Sequence, residues 1–152
     1  MMQPVFLGLA GKTLSPDEIA LFRAADPAGY ILFARNIESP DQVRALTRSL
    51  TDLAGRPLPI LIDQEGGRVA RLRPPHWPVF PPGDAFARLY QKAPVTAIEA
   101  LRLNALALAA LLRDLGITVD CLPLLDVRDP VGHDIIGDRA LGSDPTRVAA
   151  LG

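Results

Sequence analysis

The chain has 152 residues, of which 49% are hydrophobic and 22% are charged, a composition typical of an ordinary globular domain. Its 16 basic and 17 acidic side chains leave a formal net charge of −1, so no broad positive field is available to attract a nucleic acid. The single cysteine, Cys121, excludes an intrachain disulfide framework and a cysteine metal cluster, and its apolar neighbours predict a buried thiol.

The N-terminus and the apolar segments indicate the compartment. The first residues lack a basic stretch followed by a long apolar run, which is the pattern of a signal peptide. No uncharged apolar segment approaches the ~20 residues of a membrane span. The sequence therefore predicts no membrane partner, and a cytoplasmic location is the expectation.

Short apolar runs alternate with helical patterns, which is typical of successive βα units and a parallel sheet. The first predicted strand covers residues 5–9. Ser15 and Pro16 then indicate the start of a helix, since serine caps helices and proline fits their first position. A second predicted strand covers residues 30–33, and Ser39 starts the next helix in the same way.

The third and fourth units follow the same scheme with longer connections. Residues 58–63 form an apolar third strand, as expected for a strand buried under helices. Residues 74–83 are rich in proline and predict an ordered loop. The longest predicted helix covers residues 97–115, and a fourth strand covers residues 117–125.

A polar loop over residues 126–143 precedes the start of another helix at Asp144. Four βα units in series fit either a doubly wound open sheet or the first half of a (β/α)₈ TIM barrel, and the pattern does not separate the two. A whole barrel takes about 250 residues. The barrel interpretation therefore means an apparently truncated α/β barrel.

The most informative segment lies where the third strand meets its loop, the place where parallel α/β folds gather ligands. Asp63 and Glu65 would share one face of an extended backbone, and Gly66 and Gly67 permit a sharp turn or a close approach to a ligand. Two nearby carboxylates suggest a glycosidase, but residues two apart on one strand are about 7 Å apart and do not flank a bond. Recognition of sugar hydroxyls fits Asp63 better.

A structural interpretation of the same segment stays open. Asp63 can cap a turn while Arg68 or Arg71 pairs with Glu65. Neither alternative is excluded by the pattern of residues alone.

A second polar cluster lies in the loop after the fourth strand. Arg139 offers a planar, permanently charged fork for ligand oxygens, and Asp138 beside it could hold it in place. The alternative is a surface ion pair that precedes a helix cap at Ser143 or Asp144.

The chain has two histidines, His76 and His133. His76 and Trp77 could border a sugar site because aromatic faces stack on sugar rings, but a proline-rich loop also carries such a pair to pack itself. His133 is expected to be an exposed loop residue.

Four blocks of sequence are more specific together than any one of them. They are Ile-Leu-Phe-Ala-Arg-Asn at 31–36, Asp-Gln-Glu-Gly-Gly-Arg-Val at 63–69, Leu-Pro-Leu-Leu-Asp-Val at 122–127, and Gly-Asp-Arg at 137–139 before Gly-Ser-Asp-Pro at 142–145. In this order they resemble the blocks of bacterial glycoside hydrolase family 3 β-N-acetylhexosaminidases, and the resemblance covers nearly the whole chain. The departures are mild, such as Ala140 and Leu141 where Ser and Phe are usual.

The resemblance implies a (β/α)₈ barrel of which residues 1–152 form the N-terminal part of one catalytic domain. Three residues match positions that bind N-acetylglucosamine in that family: Asp63, Arg71 and Arg139. Four others would shape the end of the strand without direct chemistry: Glu65, Gly66, Gly67 and Arg68.

The family's catalytic groups cannot be placed in this sequence. In similar enzymes a later Lys-His-Phe-Pro-Gly-His-Gly-Asp segment binds substrate, a loop histidine assisted by an aspartate is the acid/base, and a later aspartate is the nucleophile. The resemblance therefore assigns no catalytic residue to this chain and predicts that it is inactive alone. No metal or organic cofactor is expected, because carboxylate and imidazole can perform both steps.

The expected function is the recognition half of a retaining exo-β-N-acetylglucosaminidase that hydrolyses terminal N-acetylglucosamine from muropeptides during peptidoglycan recycling. Its expected partners are a small carbohydrate substrate and the remaining half of the barrel, in cis or in trans. The alternatives are a non-catalytic sugar-binding product, a subunit of a split barrel with unpaired edge strands, or a β-glucosidase or phosphorylase of the same family.

Overall fold

The structure is a computed structural model that describes residues 1–129 and 131–152. The chain divides into two compact units. The first comprises residues 1–63 and 110–120, and the second comprises residues 64–109 and 121–152.

The first unit is built on a four-stranded parallel sheet. Its strands are β1 (Gln3–Gly8), β2 (Pro27–Leu32), β3 (Ile60–Ile62) and β4 (Val119–Asp120), and they lie side by side in chain order. A barrel adds each strand beside the previous one, whereas a doubly wound sheet reverses direction after its first strands. The predicted parallel α/β fold is confirmed, and the strand order agrees with the first half of a barrel.

Two helices of the first unit begin where the sequence predicts. Helix α1 (Pro16–Ala25) starts at a capping box in which Ser15 and Glu18 satisfy each other's backbone N–H groups. Helix α2 (Pro40–Ala54) is capped by Ser39. The core of the unit contains fully buried side chains from the sheet and from α2: Tyr30, Leu32, Val43, Leu50, Ile60 and Ile62.

The strands differ in length from the prediction. Strand β3 has three residues where six were expected, and β4 has two where nine were expected. Pro59 and Pro123 lack the N–H that a ladder needs, so regular pairing stops near each of them. Because the chain leaves the sheet after Asp120, Cys121 is half-buried and not the buried thiol that was expected.

The second unit contains helix α3 (Gly83–Lys92), most of helix α4 (Pro94–Asp114) and helix α5 (Pro145–Leu151). Helix α3 was missed by the sequence analysis, because Pro82 stands at its N-terminal cap and offers no capping side chain. Helix α4 begins three residues earlier than predicted, at Pro94. A small apolar core joins these elements: Ala97, Leu141, Val148 and Leu151, with Leu89, Tyr90 and Leu101 packed against them.

Helix α4 is long and apolar enough to cross a membrane by length and composition, and it is the one such helix in residues 1–129 and 131–152. The sequence predicted no uncharged apolar segment of about 20 residues, and this 21-residue helix carries four charged side chains: Glu99, Arg102, Arg113 and Asp114. Most of the helix surface is exposed. A single helix of this kind is weak evidence for a membrane span.

Candidate functional site

Asp63 directly follows β3 and is the last residue of the first unit's opening segment. Its side chain is half-buried at the C-terminal end of a buried strand. This is the position where parallel sheets present ligand-binding groups. Its role in binding a sugar stays a prediction.

Gln64 closes the loop that carries Arg71. The Gln64 side chain is 1% exposed, and its Oε1 accepts hydrogen bonds from the backbone N–H groups of Arg71 at 2.8 Å and Leu72 at 2.9 Å. Its Nε2 donates to the Leu72 carbonyl at 3.1 Å. One buried amide thus satisfies three backbone groups and fixes the backbone of Arg71. This role of Gln64 was not predicted from the sequence, although a polar side chain directly after a buried strand is a signal for one.

The two glycines form a tight turn within this loop. The N–H of Glu65 donates to the Val69 carbonyl at 2.9 Å, and Gly66 and Gly67 have φ values of +89° and +57°. A Cβ on Gly66 would collide with the Pro81 carbonyl oxygen. The sharp turn expected from the glycines is present, and the backbone that approaches Gly66 belongs to the proline-rich loop of the chain itself.

Glu65 and Arg139 form a bidentate ion pair across this unit. Arg139 Nε donates to Glu65 Oε2 at 2.8 Å, and Arg139 Nη2 donates to Glu65 Oε1 at 2.8 Å. The Glu65 and Arg139 side chains are 7% and 20% exposed. Since both carboxylate oxygens accept from one guanidinium, Glu65 is placed to hold Arg139.

Arg68 braces the loop that carries Arg139. Its Nε lies 2.9 Å from Asp138 Oδ1, so Asp138, suggested by the sequence as the partner of Arg139, pairs with Arg68. Its Nη2 donates to three successive carbonyls, those of Asp134, Ile135 and Ile136. Gly137, with φ at +48°, passes so close to this guanidinium that a Cβ would collide with it. The Arg68 brace therefore fixes the backbone just before Arg139.

The backbone of Arg139 is held from a second side as well. Arg139 ends the short 3₁₀ turn Gly137–Arg139, and a Cβ on Gly83 at the start of α3 would collide with its carbonyl oxygen. Ala140 and Leu141, which follow, are 1% and 5% exposed. The turn is thus anchored to the core of its unit. The close contact of Gly83 with the Arg139 carbonyl could not be predicted from the sequence pattern.

The aromatic pair belongs to the packing of the proline-rich loop. Trp77 is 8% exposed, and the exposed His76 ring meets it edge-on with 5.6 Å between ring centroids. A buried indole offers little face for stacking on a sugar, so the self-packing alternative is favoured. His133 is exposed as expected, and its Nδ1 accepts from the Ile135 N–H at 3.0 Å. No group of three or more metal-ligating side chains occurs among the residues that the structure describes.

Residues 13–152 match the family model described as the glycosyl hydrolase family 3 N terminal domain. The chain belongs to glycosyl hydrolase family 3. The family 3 resemblance inferred from the four sequence blocks is thereby confirmed.

Curated family 3 relatives carry the name β-hexosaminidase. The protein from Xylella fastidiosa strain M23 is 36% identical over 147 residues, which are 97% of this chain and 43% of the relative. The protein from Aromatoleum aromaticum is 39% identical over 150 residues, which are 97% of this chain and 41% of the relative. The chain thus spans less than half the length of the curated relatives it matches.

Solved family 3 structures resemble this chain closely. NagZ from Neisseria gonorrhoeae in complex with N-trifluoroacetyl-D-glucosamine superposes with a TM-score of 0.89 at 30% identity, covering 97% of this chain and 43% of NagZ. A family 3 β-N-acetylglucosaminidase from Paenibacillus sp. strain FPU-7 gives a TM-score of 0.86 at 33% identity, covering 97% of this chain and 27% of that enzyme. The chain therefore has the fold of an N-terminal piece of the family 3 barrel.

Proposed function

We propose that this chain carries the N-acetylglucosamine recognition part of a family 3 β-N-acetylglucosaminidase. The observation that carries the proposal is the similarity of 97% of the chain to a NagZ crystallised with an N-acylated glucosamine. The curated relatives named β-hexosaminidase support the same activity class. Among family 3 activities, this evidence favours an N-acetylglucosaminidase over a β-glucosidase or a phosphorylase.

Three residues carry the proposed recognition: Asp63, Arg71 and Arg139. A carboxylate accepts hydrogen bonds from sugar hydroxyls, whereas guanidinium groups donate to hydroxyl or acetamide oxygens. Support for the two arginines comes from the buried Gln64 amide, which fixes the backbone of Arg71, and from Glu65, which orients Arg139. Because Glu65 already holds the Arg139 guanidinium, that side chain loses less freedom when a ligand binds.

For the whole protein we propose retaining exo-hydrolysis of terminal N-acetylglucosamine from peptidoglycan-derived muropeptides in the cytoplasm. The family resemblance assigns neither acid/base nor nucleophile to residues 1–152. Glu65 is a poor candidate for either role, because both of its oxygens accept from Arg139. The chemistry then depends on the remaining half of the barrel, supplied in cis or in trans, and without it the chain binds the sugar and does not hydrolyse it.

Two measurements on the purified chain test this proposal. Titration with N-acetylglucosamine, followed by ¹H–¹⁵N NMR, is expected to shift the backbone signals of Arg71 and Arg139, while glucose at the same concentrations shifts them far less. Hydrolysis of 4-nitrophenyl β-N-acetylglucosaminide is expected from the chain only after mixing with the complementary C-terminal portion of a curated β-hexosaminidase relative.

The possible results separate the alternatives. Sugar binding without hydrolysis in the mixture would favour the non-catalytic sugar-binding product. Equal shifts with glucose and N-acetylglucosamine would contradict the proposed specificity. Hydrolysis by the chain alone would contradict the assignment of the catalytic groups to the other half.

A further inference from the structure

The charge of Arg139 is cancelled at its own site. Glu65 lies 2.8 Å from two nitrogens of the guanidinium, and both side chains are largely buried. The two opposite unit charges sum to zero, and they lie so close together that a ligand cannot approach one without also meeting the other. A ligand that reaches Arg139 therefore meets a neutral pair.

The pair also limits how many donors a ligand can use. A guanidinium has five N–H donors. Glu65 takes one on Nε and one on Nη2, and the Ile135 carbonyl takes one on Nη1 at 3.2 Å. These three contacts use one N–H on each of the three nitrogens, so a ligand can reach Arg139 only through the second N–H of Nη1 or of Nη2.

The ion pairs formed by Arg68 and Arg128, which lie around the loop that carries Arg139, are balanced in charge. Arg68 lies against Asp138 at 2.9 Å and against Asp134 at 3.4 Å. Arg128 lies 3.7 Å from Asp134. With Glu65 and Arg139, the cluster holds three guanidinium groups and three carboxylates, so it is neutral overall.

We propose that Glu65 is a specificity-determining residue, which makes Arg139 a donor to neutral sugar oxygens and excludes anionic groups from it. This inference rests on the proposed function for the role of Arg139 toward a sugar. An anion would gain attraction from Arg139 and lose it to repulsion from Glu65 a few ångströms further away. A hydroxyl or acetamide oxygen pays no such penalty, because it needs only a donor N–H.

The test follows the Arg139 side-chain Nε–H signal by NMR in the full chain. The probes are inorganic phosphate, N-acetylglucosamine and N-acetylglucosamine 6-phosphate. The variants are Glu65→Gln, which keeps the shape and an acceptor oxygen, and Glu99→Gln, a matched control that removes the same charge from an exposed bidentate pair with Arg102 on α4. A thermal melt with and without phosphate accompanies each variant.

In the wild-type chain, phosphate is expected to leave the Arg139 signal unmoved, and the 6-phosphate is expected to bind no tighter than the neutral sugar. Glu65→Gln is expected to lower the Kd for phosphate at Arg139 at least tenfold and to gain melting temperature on phosphate addition. Glu99→Gln is expected to behave like the wild type at Arg139, because its pair with Arg102 lies outside this cluster.

Three results would overturn the proposal. They are phosphate binding at Arg139 in the wild-type chain, no gain of phosphate binding in a folded Glu65→Gln, or an equal gain in Glu99→Gln. The wild-type titration decides the question even where Glu65→Gln does not fold. A failure of N-acetylglucosamine to shift Arg139 in the wild type counts against the proposed function, whereas the phosphate results judge the role of Glu65 separately.

Discussion

Asp63 is the first polar side chain after the buried strand β3, and its contribution to sugar binding can be measured directly. We expect Asp63→Asn to weaken the binding of N-acetylglucosamine to this chain by roughly 10- to 100-fold. The reason is that a hydrogen bond to a charged group is worth about 1.5–3 kcal/mol, and an amide replaces one of its acceptor oxygens with a donor. Isothermal titration or NMR gives the affinity.

The control for Asp63→Asn is Asp17→Asn, which removes the same charge from an exposed position on α1 of the same unit. It is expected to bind like the wild type. Equal affinities for Asp63→Asn and Asp17→Asn would remove Asp63 from the sugar site.

Arg139→Lys tests the fork and not the charge. A lysine ammonium cannot span both oxygens of Glu65, so the side chain loses its fixed orientation. We expect at least a tenfold loss of N-acetylglucosamine affinity and a loss of about 1–3 kcal/mol in the free energy of unfolding of its unit. Chemical denaturation measures the second effect. Arg128→Lys, at a more exposed arginine, is the control.

Binding of N-acetylglucosamine by Arg139→Lys at wild-type affinity would contradict a role for the guanidinium fork.

The sequence identified both Glu65 and Arg139 as site residues but did not predict that they pair with each other. They are 74 residues apart, and the residue next in sequence, Asp138, was the natural local guess. Partner choice is a tertiary property, since the turn at Gly137 directs Arg139 to Glu65 and leaves Asp138 to Arg68.

Among the helices and strands, the sequence predicted the boundaries that nearby residues encode and missed those that depend on distant contacts. The helices that begin at Ser15 and Ser39 were predicted because their caps are encoded within four residues. Helix α3 was missed because its first turn has no capping side chain. The short span of β4 depends on pairing with β3, which is a long-range contact that no local pattern reports.

The capping box of α1 makes a prediction about pH. Burial of the Glu18 carboxyl opposes its ionisation, but hydrogen bonds from Ala10 N–H, Ser15 N–H and the Ser15 hydroxyl outweigh it and lower the pKa of Glu18 below its ordinary value of 4.5. A carboxyl with a lowered pKa in the folded state stabilises that state above its unfolded pKa, and the contribution is lost as pH falls through the folded pKa. We expect the cap to weaken below pH 4.5.

Amide exchange at Ala10 and Ser15 measures this loss, because both N–H groups donate to the Glu18 carboxylate, at 2.8 and 2.9 Å. Their protection is expected to fall in the wild type as pH drops below the ordinary Glu18 pKa of 4.5, after correction for intrinsic exchange. In Glu18→Gln that step should be absent. An identical step in both proteins would show that the Glu18 carboxylate does not hold the cap.

At the scale of the whole molecule, the sequence left two sheet topologies open, and the order of pairing decided between them. Every strand pairs with its sequence neighbours, from β1 through β4. Hydrophobic periodicity reports that a strand is buried but not which strands flank it. That all 152 residues form part of one catalytic barrel stays a prediction, since the described contacts group into two compact units.

Helix α4 carries the last prediction, because it exposes large apolar side chains along its length. Val95 and Ile98 are 83% and 43% exposed, and Leu103 and Leu106 are 52% and 53% exposed. Leu103 and Leu106 are three residues apart and are therefore neighbours on one helix face. Exposed apolar faces of this kind favour association in water.

We expect the purified chain to self-associate as its concentration rises, and the double variant Leu103→Glu with Leu106→Glu to shift it toward the monomer. Sedimentation velocity over a range of concentrations measures the shift. Both side chains are exposed, so the double variant should change the free energy of unfolding by less than about 1 kcal/mol. Gln91→Glu, an exposed position on α3, is a charge control that should leave association unchanged. A monomeric wild type at all concentrations would show that this helix face does not drive association.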